Sequence, residues 1–395
     1  MVTVSEQYEA YPYPERDPAD EKTRLIEGSP SHPREIDHFL FSGQRDWSRP
    51  FRALVAGGGT GDGLIMLAQH LANSSHPHEI TYVDLSTASR QVAEARAKVR
   101  GLNNITFVTG SLLDAPDLGE FDYIDCCGVL HHLPDPAAGF AALRSAVAPD
   151  GGLGFMVYAP YGRSGVYPLQ EAFGALLDGL PPAKRLEEAR RLVDGLPAGH
   201  PFRLNPHLVD HRQSAAGFYD LLLHSQDRAF GIAELMQTLG DTGWALTDLT
   251  QPALYDLSRI ADVPDHLSKT DAMAIAEKLL GTIKLHIGYA APSGSGDRVA
   301  TGASRSAIPH LRGASPKALA KVIAQGKAPK LSVSGVDSWL KLPRQAAPLL
   351  AGIDGSRTVA QIISAARLEP LQGGALWSRV DAALRPWGLL LYSGF

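Results

Sequence analysis

Residues 52–63 read RALVAGGGTGDG, with Gly57, Gly58, Gly59 and Gly61 following directly on an apolar run. Phe51 to Ala56 has the composition of a short buried strand, and Leu64 to Leu71 has helical apolar spacing. The glycines therefore occupy a strand-to-helix turn, where free backbone N–H groups and the positive end of a helix gather. Such a turn suits a phosphate, a carboxylate or a ribose lying against bare main chain. The phosphate-loop pattern GxxxxGK[ST] is absent, because no Lys-Ser or Lys-Thr follows. GxGxxG also fails: the sixth place from Gly57 is Asp62 and from Gly59 it is Leu64. GxGxG at Gly57, Gly59 and Gly61 remains, alongside the alternative of a plain tight connection.

The segments that follow extend the pattern. EITYVDLS (79–86) is a second apolar strand ending on Asp84, placed to accept hydrogen bonds from vicinal ribose hydroxyls. A helix, a third strand NITFVTG (104–110) and SLLD (111–114) come next. A fourth strand starts at Phe121 in FDYIDCCGVLHHLPDP, and a helix ending in APDGG (148–152) leads into a fifth, GLGFMVYAP. Strands alternating with helices predict a doubly wound, mainly parallel α/β sheet with ligands at the strand C-termini. ALTDLTQP and KLHIGYAAP would complete seven strands, the last antiparallel.

LVAGGGTG, VDLS, TGSLLD, CCGVLHHLPDP and APDGG, in this order, resemble the successive motifs of class I S-adenosylmethionine-dependent methyltransferases. The resemblance is strongest over residues 50–160. It implies that Gly57, Gly59 and Gly61 admit the methionine and ribose portions of S-adenosylmethionine. Asp84 would hold the ribose hydroxyls, with Leu85 against the adenine. Leu113 and Asp114 would meet the adenine amino edge, and Gly128, Val129 and Leu130 would line the pocket beneath the sulfonium. One place departs from the pattern. Two positions before the first glycine the family usually carries an acid that orients the loop or the methionine ammonium, and here that place is Val55. A related bacterial subgroup with AGCGTG also lacks it.

Composition bounds the remainder. The 395 residues are 44% hydrophobic with a mean hydropathy of −0.08, and no run approaches the ~18 apolar residues of a membrane span. The N-terminus has no basic start or apolar core, so a cytoplasmic location is expected. Cys126 and Cys127 read as small buried residues of the fourth strand. Residues 297–395 hold 13 Lys/Arg against five Asp/Glu, a net of +8 within a chain whose total is −5. That asymmetry suggests an anionic partner or docking on the chain's own acidic part, with self-docking or plain solvation favoured.

The predicted organisation has four parts: an N-terminal arm over the cofactor site (1–45), a methyltransferase domain (46–292), a linker (293–315) and a C-terminal module (316–395). The domain carries a helical and loop lid insertion (159–228). GIDGSRTVAQI with GLLLY resembles the small α+β winged-helix-like modules of bacterial modifying enzymes. YEAYPYPERDP (8–18) reads as an extended segment presenting Tyr8, Tyr11 and Tyr13. It resembles the YPYP-type arm of certain bacterial methyltransferases, protein-lysine methyltransferases among them. Tyr13, His131 and His132 are the candidate catalytic residues, with Arg16 and Tyr158 as further pocket candidates. His207, His211 and His224 with Asp210 and Asp227 read as scattered loop residues, so no metal is expected. Asp227 and Arg228 read equally as helix-capping or acceptor-binding residues.

The favoured function is methyl transfer by in-line displacement to a protein or peptide side chain or a small molecule. The alternatives are a nucleic-acid methyltransferase anchored by the basic module and a non-catalytic cofactor-fold regulator. No membrane association is expected, and no signal for an oligomeric state is legible.

Overall fold

The computed structural model describes residues 2–395. Seven strands form one sheet: β1 (Phe51–Ala56), β2 (His78–Asp84), β3 (Ile105–Thr109), β4 (Phe121–Cys127), β5 (Val147–Tyr158), β6 (Trp244–Leu249) and β7 (Leu285–Pro292). Their order is β3-β2-β1-β4-β5-β7-β6, with β7 antiparallel to both its neighbours and the remaining pairs parallel. The central strands are apolar almost throughout because helices cover both faces of the sheet. This is the Rossmann-like methyltransferase fold. The strand order reverses between β1 and β4, which opens a crevice beyond their C-terminal ends.

Two local expectations change. The helix before β5 spans Pro136–Ala146, capped by Asp135, and stops before APDGG. Val147 pairs with Phe121 and the register then slips before Tyr123 meets Gly152, so APDGG is a bulge within β5. The N-terminal arm is also not extended throughout. Val4–Ala10 forms helix α1, whose Thr3 hydroxyl accepts the Glu6 N–H while the Glu6 carboxylate accepts the Thr3 N–H. Local capping satisfies the amides that an extended arm would leave to water.

The arm divides its work. Residues 2–22 lie by the crevice, whereas helix α2 (Pro33–Leu40) is buried in the middle of the protein. Glu35 accepts hydrogen bonds from Tyr289 (2.9 Å) and Ser29 (2.6 Å) and pairs with Arg312. Asp37 accepts from the Arg45 N–H (3.0 Å), the Ser393 hydroxyl (2.7 Å) and the Gly394 N–H (2.7 Å). Thus α2 joins the main sheet to the C-terminal module. Two further helices of the first half matter for the site: α3 (Asp62–Asn73), which follows the glycine turn, and α4 (Thr87–Val99), which follows β2.

Four helices after residue 315 pack with two short ribbons, β8 (Pro309–Leu311) against β11 (Leu390–Tyr392) and β9 (Lys330–Val333) against β10 (Val336–Trp339). β8 lies inside the segment expected to be linker. That segment is tied down: Arg298 donates to the Asp150 carbonyl at 2.6 Å, and the Ala300 N–H donates to the His38 carbonyl at 2.7 Å. Arg298 and Arg312 show basic residues of the C-terminal part spent on the chain's own acids and carbonyls. Asp37→Ala leaves three donors without their acceptor, each costing about 1–3 kcal/mol when buried. Two of the three bonds are only part-buried, so urea denaturation is expected to show a loss near the low end of that sum, roughly 3–4 kcal/mol.

Candidate functional site

The glycine turn is fixed from three sides. The Gly59 N–H donates to Asp84 Oδ2 at 2.8 Å, and its carbonyl accepts the Tyr82 hydroxyl at 2.5 Å. From above, the Tyr13 carbonyl lies 2.7 Å from where a Gly59 Cβ would stand. Gly59 has φ +53°, and Gly57 has φ +72° with the Val129 methyls in its Cβ position, so both must be glycine. Part of what presses on this bare backbone is the protein itself. The Thr60 hydroxyl donates to the Pro14 carbonyl at 2.6 Å and completes the fastening of the arm. Gly61 caps α3 and faces Ala93 rather than the crevice.

A cavity of about 570 Å³ opens over this turn. At one end Leu85 and Leu113, half-exposed at 52% and 46%, flank it with Gly110 and Ser111. Large apolar side chains left uncovered on opposite loops suit a flat ring system. Gly128 and Val129 also line the cavity, whereas Leu130 is wholly buried in the core beneath it. Asp84 supports the cavity without being among its lining residues: its second oxygen accepts the Ser86 N–H at 2.8 Å. Burial raises its pKa, and the amides of Ser86 and Gly59 oppose the rise. Asp114 caps its own turn through the Ser111 N–H (3.2 Å) and does not line the cavity.

Several lining residues escaped the sequence reading. Asp62, immediately after the turn, pairs with Arg16 (2.7 Å) and Arg96 (2.7 Å). Burial works against its ionisation, but the two guanidiniums prevail and its pKa is lowered. Arg16 acts through this pair and is not itself among the lining residues. Asp125 of β4 sits beside Val55 in register, 3% exposed, on the cavity wall. Its pKa is pushed up to about 7 by burial, with the Ser31 hydroxyl acting the other way. Cys127 corrects its expectation: Cys126 is buried, but the Cys127 side chain opens on the crevice. Alternation along β4 separates the two and is the signal that would have told them apart.

The opposite end of the cavity is an aromatic and acidic chamber. The hydroxyls of Tyr8 and Tyr158 donate to the two oxygens of Asp220 at 3.0 and 3.1 Å. Burial raises the pKa of the carboxyl and of both phenols. Tyr13 lines the chamber's roof with Pro14. Arg163 lies 3.6 Å over the Tyr158 ring and pairs with Asp227 at 3.2 Å. Asp227 therefore positions Arg163, while Gly231 is the N-cap of the next helix. Arg228 pairs with Glu234.

The two histidines part company. His132 lines the cavity, its Nδ1 bonded to the Gln226 carbonyl at 3.0 Å and its ring stacked on His224 at 3.7 Å. His131 is wholly buried behind it against Tyr158, held neutral by burial, and is not among the lining residues. A direct catalytic contact for His131 is thereby removed. His132, Asp220 and His224 also bring ligand-type atoms within 4.8 Å of one another. Yet His224 Nδ1 accepts the Gln226 N–H at 3.1 Å, which puts the ring proton on Nε2, facing the Tyr8 oxygen. That tautomer has no Nε2 lone pair to give a metal. His207 and His211 do not join this group.

The raised acid gives a stability signature. A carboxyl whose pKa is higher folded than unfolded binds more protons in the native state, so stability falls as pH rises between the two values. For Asp125 that window runs from its ordinary value of 3.8 to about 7. At about 1.4 kcal/mol for each pH unit, the difference has an upper bound of roughly 4 kcal/mol. Urea titrations at pH 4 and pH 7 are expected to show that Asp125→Asn removes part of the wild-type fall.

Residues 54–153 match the family model described as a methyltransferase domain. The uncharacterized protein syc1184_c of Synechococcus sp. is 40% identical over 178 residues, covering 45% of this chain and 41% of that protein. Highly reducing polyketide synthase 40 of Fusarium pseudograminearum is 30% identical over 112 residues, covering 27% of this chain and 4% of the synthase. The chain thus spans less than half the length of these curated relatives. Among solved structures, PKMT2 from Rickettsia typhi in complex with AdoHcy superposes with a TM-score of 0.64 at 15% identity, over 92% of this chain and 76% of that one. The likeness extends the shared fold beyond the matched domain. No helix among the described residues is long and apolar enough to cross a membrane. Residues 54–153 carry a methyltransferase domain on a methyltransferase fold, and S-adenosylmethionine is the cofactor that this domain implies.

Proposed function

We propose that the protein transfers a methyl group from S-adenosylmethionine to an amine, on a protein or peptide side chain or a small molecule. The observation that carries this reading is the continuity of the crevice over the glycine turn with the chamber around Asp220. A donor bound at one end and an acceptor at the other would share one cavity.

The residues fit the cofactor. Leu85 and Leu113 leave an apolar slot for the adenine, and the glycine turn allows close approach of the sugar and thioether. Asp84 contributes by fixing that turn, with its oxygens also facing the amides of Gly59 and Ser86. When bound, the cofactor supplies a methyl group activated for in-line displacement. The chain supplies alignment and a path for a proton.

The chamber's chemistry favours a cationic acceptor. The rings of Tyr8 and Tyr13 line the chamber, and Asp220 offers a carboxylate within a desolvated space. An ammonium must shed a proton before its lone pair can attack. Asp220, whose pKa burial raises, is the group placed to take it. Tyr8 and Tyr158, kept protonated, orient the carboxylate through their hydroxyls.

Cell lysate incubated with the protein and isotope-labelled S-adenosylmethionine, analysed by mass spectrometry, tests the proposal. Label on an amine nitrogen is the expected result; label only on oxygen, carbon or nucleic acid would overturn it. Asp220→Asn is expected to lower the methylation rate by roughly 10²–10⁴-fold, as removal of a general base does. Its S-adenosylmethionine affinity, read by calorimetry, should stay within threefold of wild type.

A further inference from the structure

The floor of the crevice holds an acid without a counterion. Asp125 lies one strand away from Val55, its partner in the parallel register of β1 and β4, where strands run about 4.8 Å apart. Paired residues of a parallel ladder project to the same face, so Asp125 and Val55 share one wall of the cavity. Across from them stands the first turn of α3: Asp125 Oδ2 is 2.5 Å from where a Gly63 Cβ would stand. Gly63 is thus the space into which this carboxylate points.

Asp125 Oδ1 is buried and has no hydrogen-bond partner among the described residues. No ion pair with Asp125 occurs among those residues either, in contrast to Asp62 nearby, which holds two arginines. A buried carboxylate left in this state is costly unless something else completes it. A hydrogen-bond donor, and a cationic one above all, would complete it.

Resting on the cofactor assignment above, we infer that Asp125 binds the α-ammonium of the methionine portion of S-adenosylmethionine. The cofactor has two cationic groups. Its sulfonium has no N–H or O–H to donate, whereas its ammonium has three N–H donors to match an acceptor lacking a partner. The adenine slot at Leu85 and Leu113 occupies one end, which directs the amino-acid half toward the floor at Val55, Gly63 and Asp125. The acid that the glycine motif lacks at Val55 is thereby supplied from the adjacent strand. Binding an ammonium also draws the carboxyl, otherwise pushed up to about 7, into its ionised form.

The test compares S-adenosylhomocysteine with its analogue lacking the α-amino group, by calorimetry on the full chain at pH 7.5. Wild type is expected to prefer the amino compound at least tenfold, and Asp125→Asn less than threefold. Binding of 5′-methylthioadenosine, which lacks the whole amino-acid half, should be the same for both proteins. An undiminished preference in Asp125→Asn overturns the assignment, as does an equal loss for all three ligands, which would mark a merely structural role. If wild type binds none of the three, the cofactor reading itself falls and takes this inference with it.

Discussion

The site depends on how one residue is held. Gly59 is gripped through its N–H by Asp84 and through its carbonyl by Tyr82, the Tyr13 carbonyl stands close above it, and the neighbouring Thr60 hydroxyl donates to the Pro14 carbonyl. A side chain at residue 59 would strike the Tyr13 carbonyl, so the arm can close over this turn only above a glycine. The arm, the end of β2 and the start of α3 are therefore positioned by the same few atoms. A shift of this turn would move both ends of the cavity together.

Burial dominates the electrostatics on both sides of the turn. Asp84, Asp125 and Asp220 all have raised pKa values for the same first reason, loss of water, yet they differ in what opposes it. Asp84 has two backbone amides, Asp220 has two phenols and a nearby imidazole, and Asp125 has one serine hydroxyl. Asp62 shows the other outcome, in which two guanidiniums overcome desolvation. Asp62 is thus paired with arginines while Asp84, Asp125 and Asp220 have no ion pair among the described residues, an arrangement suited to ligands carrying positive charge.

The sheet was legible because its strands are apolar runs punctuated by turn glycines, a local pattern that survives packing. The glycine turn was legible for the same reason, whereas Leu85 and Leu113 were singled out only through the family resemblance. Asp125 was not: it follows FDYI in a buried strand, and only the register with Val55 reveals that it faces a cavity. Asp220 and Tyr8 lie 212 positions apart, so no spacing rule could join them. Two misses did carry local signals. Thr3 and Glu6 spell a capping box ahead of α1. Ser334-Gly335, both with positive φ, close the ribbon of β9 and β10 between alternating residues.

The junction at α2 has a consequence for biogenesis. Asp37 and Gly394 are hydrogen-bonded across 357 positions, and His38 receives the Tyr392 amide across 354. At elongation rates of about 5–20 residues per second, those partners emerge on the order of 20–70 s after α2 itself. Throughout that interval a nascent helix meant for the interior carries two acids and a histidine whose shelter has yet to be made. The surroundings of α2 are accordingly completed late, even though the glycine turn and the slot at Leu85 and Leu113 are encoded in the first third of the chain.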